Sequence, residues 1–368
     1  MDDRQKTALI AMSGGVDSSV AAALTLEAGY RCIGATMKLH DGDPDTVREK
    51  ACCTLADAED ARQVCRKLGI PYHVFDHTAE FGREVIDRFV SAYERGETPN
   101  PCIDCNRYMK FSRLYERARL LGCDKIVTGH YCRIVLDPAA GRYRLLKAKN
   151  LDKDQSYVLY FLTQEQLAHT LFPLGDLESK EEVRLIAERH GFLNARKRDS
   201  QDICFVENGK YADFIRRRTG HDYPPGDFVD REGHVLGQHR GIIGYTIGQR
   251  RGLGLSLPAP LYVCRKDVPH NAVVLSPEEG LYSTALTADE VNWIAGQPPA
   301  GPIRARARTR YSAKEAPATV TPLPDGRITV TFDTPQRAVT VGQAVVLFDG
   351  DEVLGGGRVE VAADQERS

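Results

Sequence analysis

Two groups of residues in this 368-residue chain have types and spacing suited to chemistry: a serine- and glycine-rich turn near the start, and a scattered set of cysteines. The turn is Ser13-Gly14-Gly15-Val16-Asp17-Ser18. It follows the apolar run Ala8-Leu9-Ile10-Ala11-Met12, short enough for a buried strand, and opens onto Val20-Ala21-Ala22-Ala23-Leu24-Thr25-Leu26, a helical pattern. A strand, a glycine turn and a helix N-terminus present free backbone N–H groups and a positive dipole end to a phosphate. Ser13, Ser18 and Ser19 add hydroxyl donors, and Asp17 adds a carboxylate. No lysine sits in the turn, so it is not a Walker A loop built to hold β- and γ-phosphates for γ-transfer. A serine–glycine turn is by itself a common structural loop. Its place after the first strand of an α/β pattern favours the phosphate.

The cysteines point to sulfur or metal. Gly96-Glu97-Thr98-Pro99-Asn100-Pro101-Cys102-Ile103-Asp104-Cys105-Asn106 sets two thiols in a proline-rich loop before a helix. A helix N-terminus lowers a thiol pKa, and the thiolate is the nucleophile. The spacing permits three readings: half a zinc site, a redox pair, or a nucleophile with a neighbour. A four-ligand zinc site usually needs a second Cys-x-x-Cys or a His pair, which the chain lacks. The adjacent Cys52-Cys53 does not have that spacing, although it could supply ligands in three dimensions. Cys204 lies in Asp199-Ser200-Gln201-Asp202-Ile203-Cys204-Phe205, after the basic run Arg196-Lys197-Arg198. Cys32, Cys65, Cys123, Cys132 and Cys264 read as small buried hydrophobes.

The elements that must position these groups change character along the chain. Strands at Ala8–Met12, Cys32–Leu39, Tyr72–Phe75 and Lys125–Thr128 alternate with helices around Leu55–Leu68, Phe81–Arg95 and Phe111–Leu121. That alternation predicts an α/β fold, a doubly wound parallel sheet, with ligands beyond the carboxyl ends of its strands, where Ser13, Met37 and Gly129 fall. Ser179 and Glu182 are spaced as a capping box for a helix ending before Gly191. From Pro224-Pro225-Gly226 onward the chain is richer in glycine and β-formers, and after Gly296-Gln297-Pro298-Pro299 it is wholly β. Three units follow: a catalytic domain at 1–205, a small central domain at 206–285, and a C-terminal β-barrel at 286–368.

Composition sets limits. With 42% hydrophobic and 27% charged residues the chain can bury ordinary cores, and a net charge of −2 leaves no overall basic field. Nucleic-acid contacts must then come from local patches. In Ile303-Arg304-Ala305-Arg306-Ala307-Arg308-Thr309-Arg310 the arginines alternate, so a strand sets them on one face, either to track phosphates or as a solvated barrel face. Arg216-Arg217-Arg218 is a further basic cluster. Ten cysteines scattered through a large chain, a polar N-terminus and no apolar run near ~18 residues predict a reducing, cytoplasmic setting.

The tract SGGVDSS resembles the pyrophosphate loop of N-type ATP pyrophosphatases. With it, TPNPCIDCNRYMKF, TGHY, LDKDQSYVLY, DSQDICF, YTIGQRRGLG, TRYS and GQAVVLF occur in the order of the tRNA-specific 2-thiouridylases. The resemblance spans nearly the whole chain. It implies an ATP- and Mg²⁺-dependent transferase that replaces the 2-oxygen of the wobble uridine of tRNA with sulfur, releasing AMP and pyrophosphate. By that match Ala11, Met12, Ser13, Gly14, Gly15, Val16, Asp17, Ser18, Met37 and Gly129 line the ATP site, with Asp17 positioning Mg²⁺. Asn100, Pro101 and Cys102 meet the target base; His130, Lys153, Asp154, Gln155, Arg310, Tyr311 and Gln343 contact tRNA. Cys204 carries a persulfide supplied by a sulfur donor protein, either a persulfide carrier or a cysteine desulfurase. Cys105 releases the sulfur by forming a disulfide with Cys204. The chain departs from the family at Cys102, where many members carry aspartate. Cys102, Cys105 and Cys204 together offer the alternative of an iron–sulfur cluster; two thiols suffice for exchange, and the cluster-free route is favoured. A small-molecule ligase of the same ATP chemistry would leave the thiols without a role. A non-catalytic nucleotide sensor would release no pyrophosphate.

Overall fold

The computed structural model describes residues 5–40, 55–197, 203–206 and 210–363. Its first sheet has five strands in the order β3-β2-β1-β4-β7: β1 (Thr7–Ala11), β2 (Arg31–Lys38), β3 (Tyr72–Asp76), β4 (Lys125–Val127) and β7 (Thr170–Leu171). All four pairings are parallel. The four strands expected here appear within one residue of their expected ends. β1 is central, with Ala8, Leu9 and Ile10 wholly buried, because a sheet covered by helices on both faces wants an unbroken apolar strand. Helices α1 (Val16–Glu27) and α2 (Leu55–Leu68) follow β1 and β2. The alanine run of α1 lets that helix lie close on the sheet, and Val20, Ala21 and Ala22 have no exposed surface.

Two further helices carry the cysteine chemistry. The first runs through Thr78–Phe81, Gly82–Asp87 and Arg88–Glu94, and the second through Pro101–Asp104, Cys105–Leu114 and Tyr115–Leu120. The second begins at Pro101 rather than at the expected Phe111, so Cys102 and Cys105 stand in its opening turns and not in a loop. The reason is local: Asn100 Oδ1 accepts the Cys102 N–H at 3.1 Å, and Pro101 takes the position where a missing N–H costs nothing.

The second sheet is small and mixed, in the order β10-β11-β8-β9, from β8 (Gly226–Val229), β9 (Val235–His239), β10 (Tyr262–Asp267) and β11 (Ala272–Ser276). The third is a closed barrel. Strands β12 (Tyr282–Trp293), β15 (Ile328–Arg337), β14 (Ala316–Pro322), β13 (Ile303–Arg308), β16 (Ala344–Asp349) and β17 (Glu352–Ala362) pair in that order, and β12 pairs back to β17. Closure removes the open edges that a six-stranded sheet would otherwise expose. A hairpin from far upstream, β5 (Cys132–Asp137) and β6 (Arg142–Lys147), adds to β17 through Leu145↔Val353 and Leu146↔Glu352. Its residues do not announce themselves as strands in the sequence. The hairpin ties the region just after the parallel sheet to the barrel.

Candidate active site at the strand ends

The serine–glycine turn stands where β1 leaves the sheet. Met12 N–H donates to the Ala35 carbonyl at 2.8 Å, and Thr36 Oγ1 donates to the Met12 carbonyl at 2.7 Å, so the exit from β1 is stitched to β2. Ser18 Oγ accepts from Ser13 N–H and Ser13 Oγ, each at 3.2 Å, and donates to the Gly15 carbonyl at 3.0 Å. Gly14 adopts φ +73°, and a Cβ there would fall 2.4 Å from the Asp57 carbonyl oxygen. Gly129 closes the other side: its Cβ would lie 2.8 Å from Ser18 N and from Asp17 C. Only glycine lets the end of β4 approach the start of α1 this closely. Gly15 is the N-cap of α1 and offers no side-chain cap, so the first N–H groups of this 12-residue helix face the turn. Ala11, Met12, Ser13, Gly14, Gly15, Val16, Asp17, Ser18, Met37 and Gly129 thus share one end of the sheet. Met37 and Val16 are buried, while Ser13 is exposed.

Four residues given no role at the nucleotide by the sequence complete this end. Lys180, the first residue of the helix Lys180–Arg189, places Nζ 2.7 and 2.8 Å from the two Asp17 oxygens. Tyr131 OH donates to Asp17 Oδ1 at 2.6 Å. Asn194 Nδ2 donates to the Gly14 carbonyl at 3.0 Å and to Ser19 Oγ at 2.9 Å. Lys197 donates to Asp57 at 2.7 Å and Asp60 at 2.6 Å, with Gly14 O at 3.4 Å. The loop lacks a lysine in sequence, yet two lysines reach it in space. The sequence signal for Lys180 is indirect: it follows Ser179, whose side chain caps its helix by accepting Glu182 N–H. The cap is not a full box, because Glu182 Oε2 accepts from Glu178 N–H instead of Ser179 N–H.

A nucleotide polyphosphate fits this cradle, since glycine turn, helix N-terminus and lysines all suit an anion. Mg²⁺ fits as well: it is commonly held by one or two carboxylates plus phosphate oxygens, and Asp17 supplies the carboxylate. Asp17 would have to exchange its Lys180 contact to do so.

The second half of the site is the helix that begins at Pro101. Cys102 is exposed and Cys105 half-buried. The loop before it is gripped from both later sheets: Thr98 N–H donates to the Val341 carbonyl at 2.9 Å, Gln343 Nε2 to the Thr98 carbonyl at 2.7 Å, and Lys266 Nζ to the Glu97 carbonyl at 3.3 Å. Burial pushes the Lys266 ammonium down to about 8. Burial also pushes Asp104, between the two cysteines, up to about 6, against the pull of Arg88. Cys204 is half-buried in the turn Ile203–Val206, closed by Val206 N–H to the Ile203 carbonyl at 3.0 Å. Phe205 packs edge-on against Phe81 and Phe89, which seats Cys204 beside the helix leading to the Glu97 loop. Cys105 and Cys204 pack against the same apolar core. Among the described residues, the ligand-bearing side chains whose atoms gather within 4.8 Å are Asp230, Glu232 and His234; Cys102, Cys105 and Cys204 do not, so they are not arranged around a single ion. A cluster spreads its thiolates more widely. Cys52, Cys53 and Arg198–Asp202 lie outside the described residues.

The residues expected at tRNA divide. Tyr311 is exposed, donates its OH to the Asp154 carbonyl at 3.1 Å and sits in the field of Asp154, Arg308, Lys153 and Cys102; burial of its hydroxyl end raises the phenol above its ordinary value. The Arg310 Nε–H is a buried donor with no acceptor in the described structure. Gln155 accepts Tyr131 N–H through Oε1 at 3.1 Å, linking this group to the Asp17 end. Two of these residues have buried side chains. His130 is buried among Phe111 and Phe172 with Nδ1 2.7 Å from Thr128 Oγ1, and burial holds its pKa well below the ordinary value. Asp154 is buried too, accepting Ala148 N–H, Ser156 N–H and Ser156 Oγ. Each is about 6% exposed and holds partners within the fold. On β13, Arg304 and Arg306 do share the outer face while Ala305 and Ala307 point inward, as the alternation predicts. They are already paired, Arg304 with Asp333 and Arg306 with Glu315.

Known proteins share this sequence along its whole length. A family model described as the tRNA methyl transferase HUP domain matches residues 6–208; a tRNA methyl transferase PRC-barrel model matches 212–277, and an aminomethyltransferase beta-barrel model matches 283–359. The tRNA-specific 2-thiouridylase MnmA of Acetivibrio thermocellus is 50% identical over 358 residues, covering 97% of this chain and 99% of the relative. The proteins of that name from Symbiobacterium thermophilum (51%; 97% of this chain, 93% of the relative) and Moorella thermoacetica (52%; 96% and 99%) agree.

The chain belongs to the tRNA-specific 2-thiouridylase family.

Among solved structures, a 4-thiouridine synthetase–RNA complex with bound ATP matches at a TM-score of 0.33 and 16% identity, covering 58% of this chain and 50% of that one. Cys102, the residue expected to depart from the family pattern, is exposed and stands one turn before Cys105.

Proposed function

We propose that this protein is an ATP-dependent tRNA sulfurtransferase that converts the wobble uridine of tRNA to its 2-thio form. The observation that carries the reading is the pairing, in one molecule, of a lysine-assisted phosphate turn with a capped helix bearing Cys102 and Cys105 and an adjacent turn bearing Cys204. A uridine 2-oxygen is a poor leaving group. Attack of that oxygen on the α-phosphate of ATP expels pyrophosphate and leaves the oxygen esterified to AMP. The N–H groups of the turn, Lys180 and Lys197 stabilise the charge that gathers on the departing pyrophosphate. Mg²⁺, held by Asp17 and phosphate oxygens, neutralises the same charge when bound.

The terminal sulfur of a Cys204 persulfide then attacks C2, and AMP leaves with the former uridine oxygen. The Cys105 thiolate attacks the Cys204 sulfur; the S–S bond to the substrate breaks, 2-thiouridine is released, and a Cys105–Cys204 disulfide remains. A dithiol reductant resets the pair, and a persulfide-bearing donor protein reloads Cys204. Cys105 stands in the opening turns of a helix, where the positive end of the helix dipole favours the thiolate. Asn100, Pro101 and Cys102 form the helix cap against which the base would seat, and the exposed Tyr311 ring would offer a face for stacking. The favoured route needs no iron–sulfur cluster, although Cys102, Cys105 and Cys204 could ligate one. Methyl transfer, named in two of the family descriptions, would leave the phosphate turn and the cysteines without a role. No helix among the described residues is long and apolar enough to cross a membrane, and tRNA as substrate suits a cytoplasmic setting.

The test is a reaction of purified protein, ATP, uridine-34 tRNA and a persulfide donor. AMP, pyrophosphate and 2-thiouridine should form together; ADP as the main product, or pyrophosphate release indifferent to tRNA, would defeat the reading.

A further inference from the structure

A cavity of about 480 Å³ lies between the barrel and the two helices that flank the Glu97 loop, with Pro99 and Asn100 on its wall. Five arginines line it, Arg83, Arg88, Arg95, Arg107 and Arg358, against four carboxylates, Asp87, Glu97, Asp104 and Glu290. These guanidinium groups gather beside the residues that would meet the target base. None of the expected tRNA contacts except the neighbourhood of Gln343 touches the cavity: Gly342 is part of its lining.

Glu290 is the unusual member. It is one of three non-glycine residues in the described structure with positive φ, at +46°, in the irregular stretch where β12 pairs with β17 between Asp289 and Asn292. Its carboxylate faces arginines of the two cysteine-side helices and of barrel strand β17. Arg107 NH1 lies 3.1 Å from Glu290 Oε2, Arg358 Nε 3.4 Å and Arg88 NH2 3.8 Å from Oε1. Only the Arg107 contact has ordinary hydrogen-bond length, and the Arg358 Nε–H is a buried donor that makes no hydrogen bond at all. Arg358 is also held by Asp289 at 2.6 Å and Glu97 at 3.4 Å, and Arg88 lies 3.8 Å from Asp104, yet three guanidinium groups still converge on Glu290 and only Arg107 makes a hydrogen bond of ordinary length to it. Such a cluster matches a tetrahedral phosphate, with more acceptor oxygens and more directions, better than a planar carboxylate. Arg83, on the cavity wall, has no ion pair in the described structure.

We infer that this cavity is a phosphodiester subsite for the RNA strand next to the target nucleotide, and that the Glu290 carboxylate occupies it as a stand-in until RNA arrives. The inference rests on the tRNA reading above and extends it to a place and a residue. Entering RNA would displace Glu290 from Arg88, Arg107 and Arg358. The same arginines link the barrel to the cysteine helix, so filling the subsite would also seat Asn100 and Cys102 against the base.

The placeholder makes a prediction of opposite signs for two members of one ion cluster. Glu290→Gln removes the competitor, so tRNA should bind about threefold more tightly or better at fixed salt. Arg107→Gln should weaken binding on the order of tenfold and lower the slope of log K against log[salt] by about 1. Glu290→Asp keeps the charge and should bind as the wild type does. An anticodon stem-loop RNA with a single methylphosphonate beside the target uridine should bind the wild type less well but weaken no further on Arg107→Gln. Binding is read with the full-length protein, thermal melting confirming each fold. Unchanged or weaker binding by a folded Glu290→Gln protein would overturn the inference and make Glu290 a structural latch. An equal penalty from the methylphosphonate on wild type and Arg107→Gln would overturn it too. Pyrophosphate release by the wild type with tRNA is measured in parallel: its absence would strike the sulfurtransferase reading itself, its presence alongside a failed Glu290 test strikes the subsite alone.

Discussion

The Asp17 carboxylate receives the Lys180 ammonium on both oxygens, at 2.7 and 2.8 Å, across 163 residues of chain. A carboxylate expected to position Mg²⁺ is therefore neutralised by a lysine that lies far outside the loop. If Asp17 is to hold Mg²⁺, it would have to give up this contact, which would leave Lys180 available to a phosphate oxygen. The pair holds both charges at the N-terminal end of α1.

Lys180→Met should lower tRNA-dependent pyrophosphate release on the order of 100-fold, the usual cost of deleting one preorganised donor to a developing anion. Asp17→Ala should abolish it. Neither change should cost more than about 1 kcal/mol of stability, since one partner in each case stays in reach of water. Wild-type pyrophosphate release by either variant would remove that residue from the chemistry.

The two loop glycines should respond differently. Gly14→Ala meets both a positive φ and a backbone oxygen at 2.4 Å, and should cost about 1–3 kcal/mol and ATP-dependent activity with it. Gly15 has φ −86°, and its Cβ would meet only Ser13 Oγ at 3.5 Å, so Gly15→Ala should fold normally and keep adenylating activity. Melting temperatures and ATP KM for the pair decide it; equal damage would mean that the turn is not the tight cradle described.

This contrast bears on what a sequence can disclose. The turn, the parallel strands and the cysteine spacing are contiguous features, and their periods and residue types are visible in order. Lys180, Tyr131, Asn194 and Lys197 are not, because each reaches Asp17, Gly14 or Asp57 only after the sheet has brought distant segments to one end. His130 and Asp154 show another limit: their motif positions suggest RNA, and the motif does not disclose that the histidine packs between Phe111 and Phe172 or that the carboxylate holds three donors. The hairpin β5–β6 is hard to see in sequence because its strands are half exposed, with Val135 and Leu136 facing water, so neither face alternates cleanly.

Cys204→Ser should prevent any protein-bound persulfide, and Cys105→Ser should allow it to form but not to leave. Mass spectrometry of the protein after donor treatment separates the two, and full thiolation by either variant would exclude that cysteine. Cys102→Asp is the accompanying control. In the persulfide route it should stay substantially active and the wild type colourless; brown, iron-bearing protein prepared without oxygen, with an inactive Cys102→Asp variant, would install the cluster instead.

The alternating arginines of β13 should matter little to tRNA. Arg304 is tied to Asp333 and Arg306 to Glu315, so Arg304→Gln with Arg306→Gln should leave the salt slope of tRNA binding within about 0.5 of the wild type, against ~0.9 for each phosphate that the protein ceases to neutralise. A drop of a full unit or more in this double variant would return that strand to the RNA surface.

Asp104 predicts a pH dependence. Its carboxyl is raised from 3.8 to about 6 on folding, so the folded protein holds the proton more tightly. That contribution is full below the unfolded pKa and is lost as pH rises through about 6. Wild-type stability should therefore fall relative to Asp104→Asn between about pH 4 and pH 6, by at most ~3 kcal/mol. A difference that does not change across that window would show Asp104 to be ionised throughout.

The loop that introduces Cys102 is fastened by residues made long after it. Gln343 donates to the Thr98 carbonyl from 245 positions downstream, and Arg358 reaches Glu97 from 261. At roughly 5–20 residues per second, a ribosome needs about 12–50 s to travel from one to the other. During that interval the parallel sheet can form and the phosphate turn can close, but the base-facing cap has no barrel to brace it. A nascent chain would then be able to hold a nucleotide before it could accept RNA, so synthesis itself delays the activated, sulfur-bearing centre until the last strands are in place.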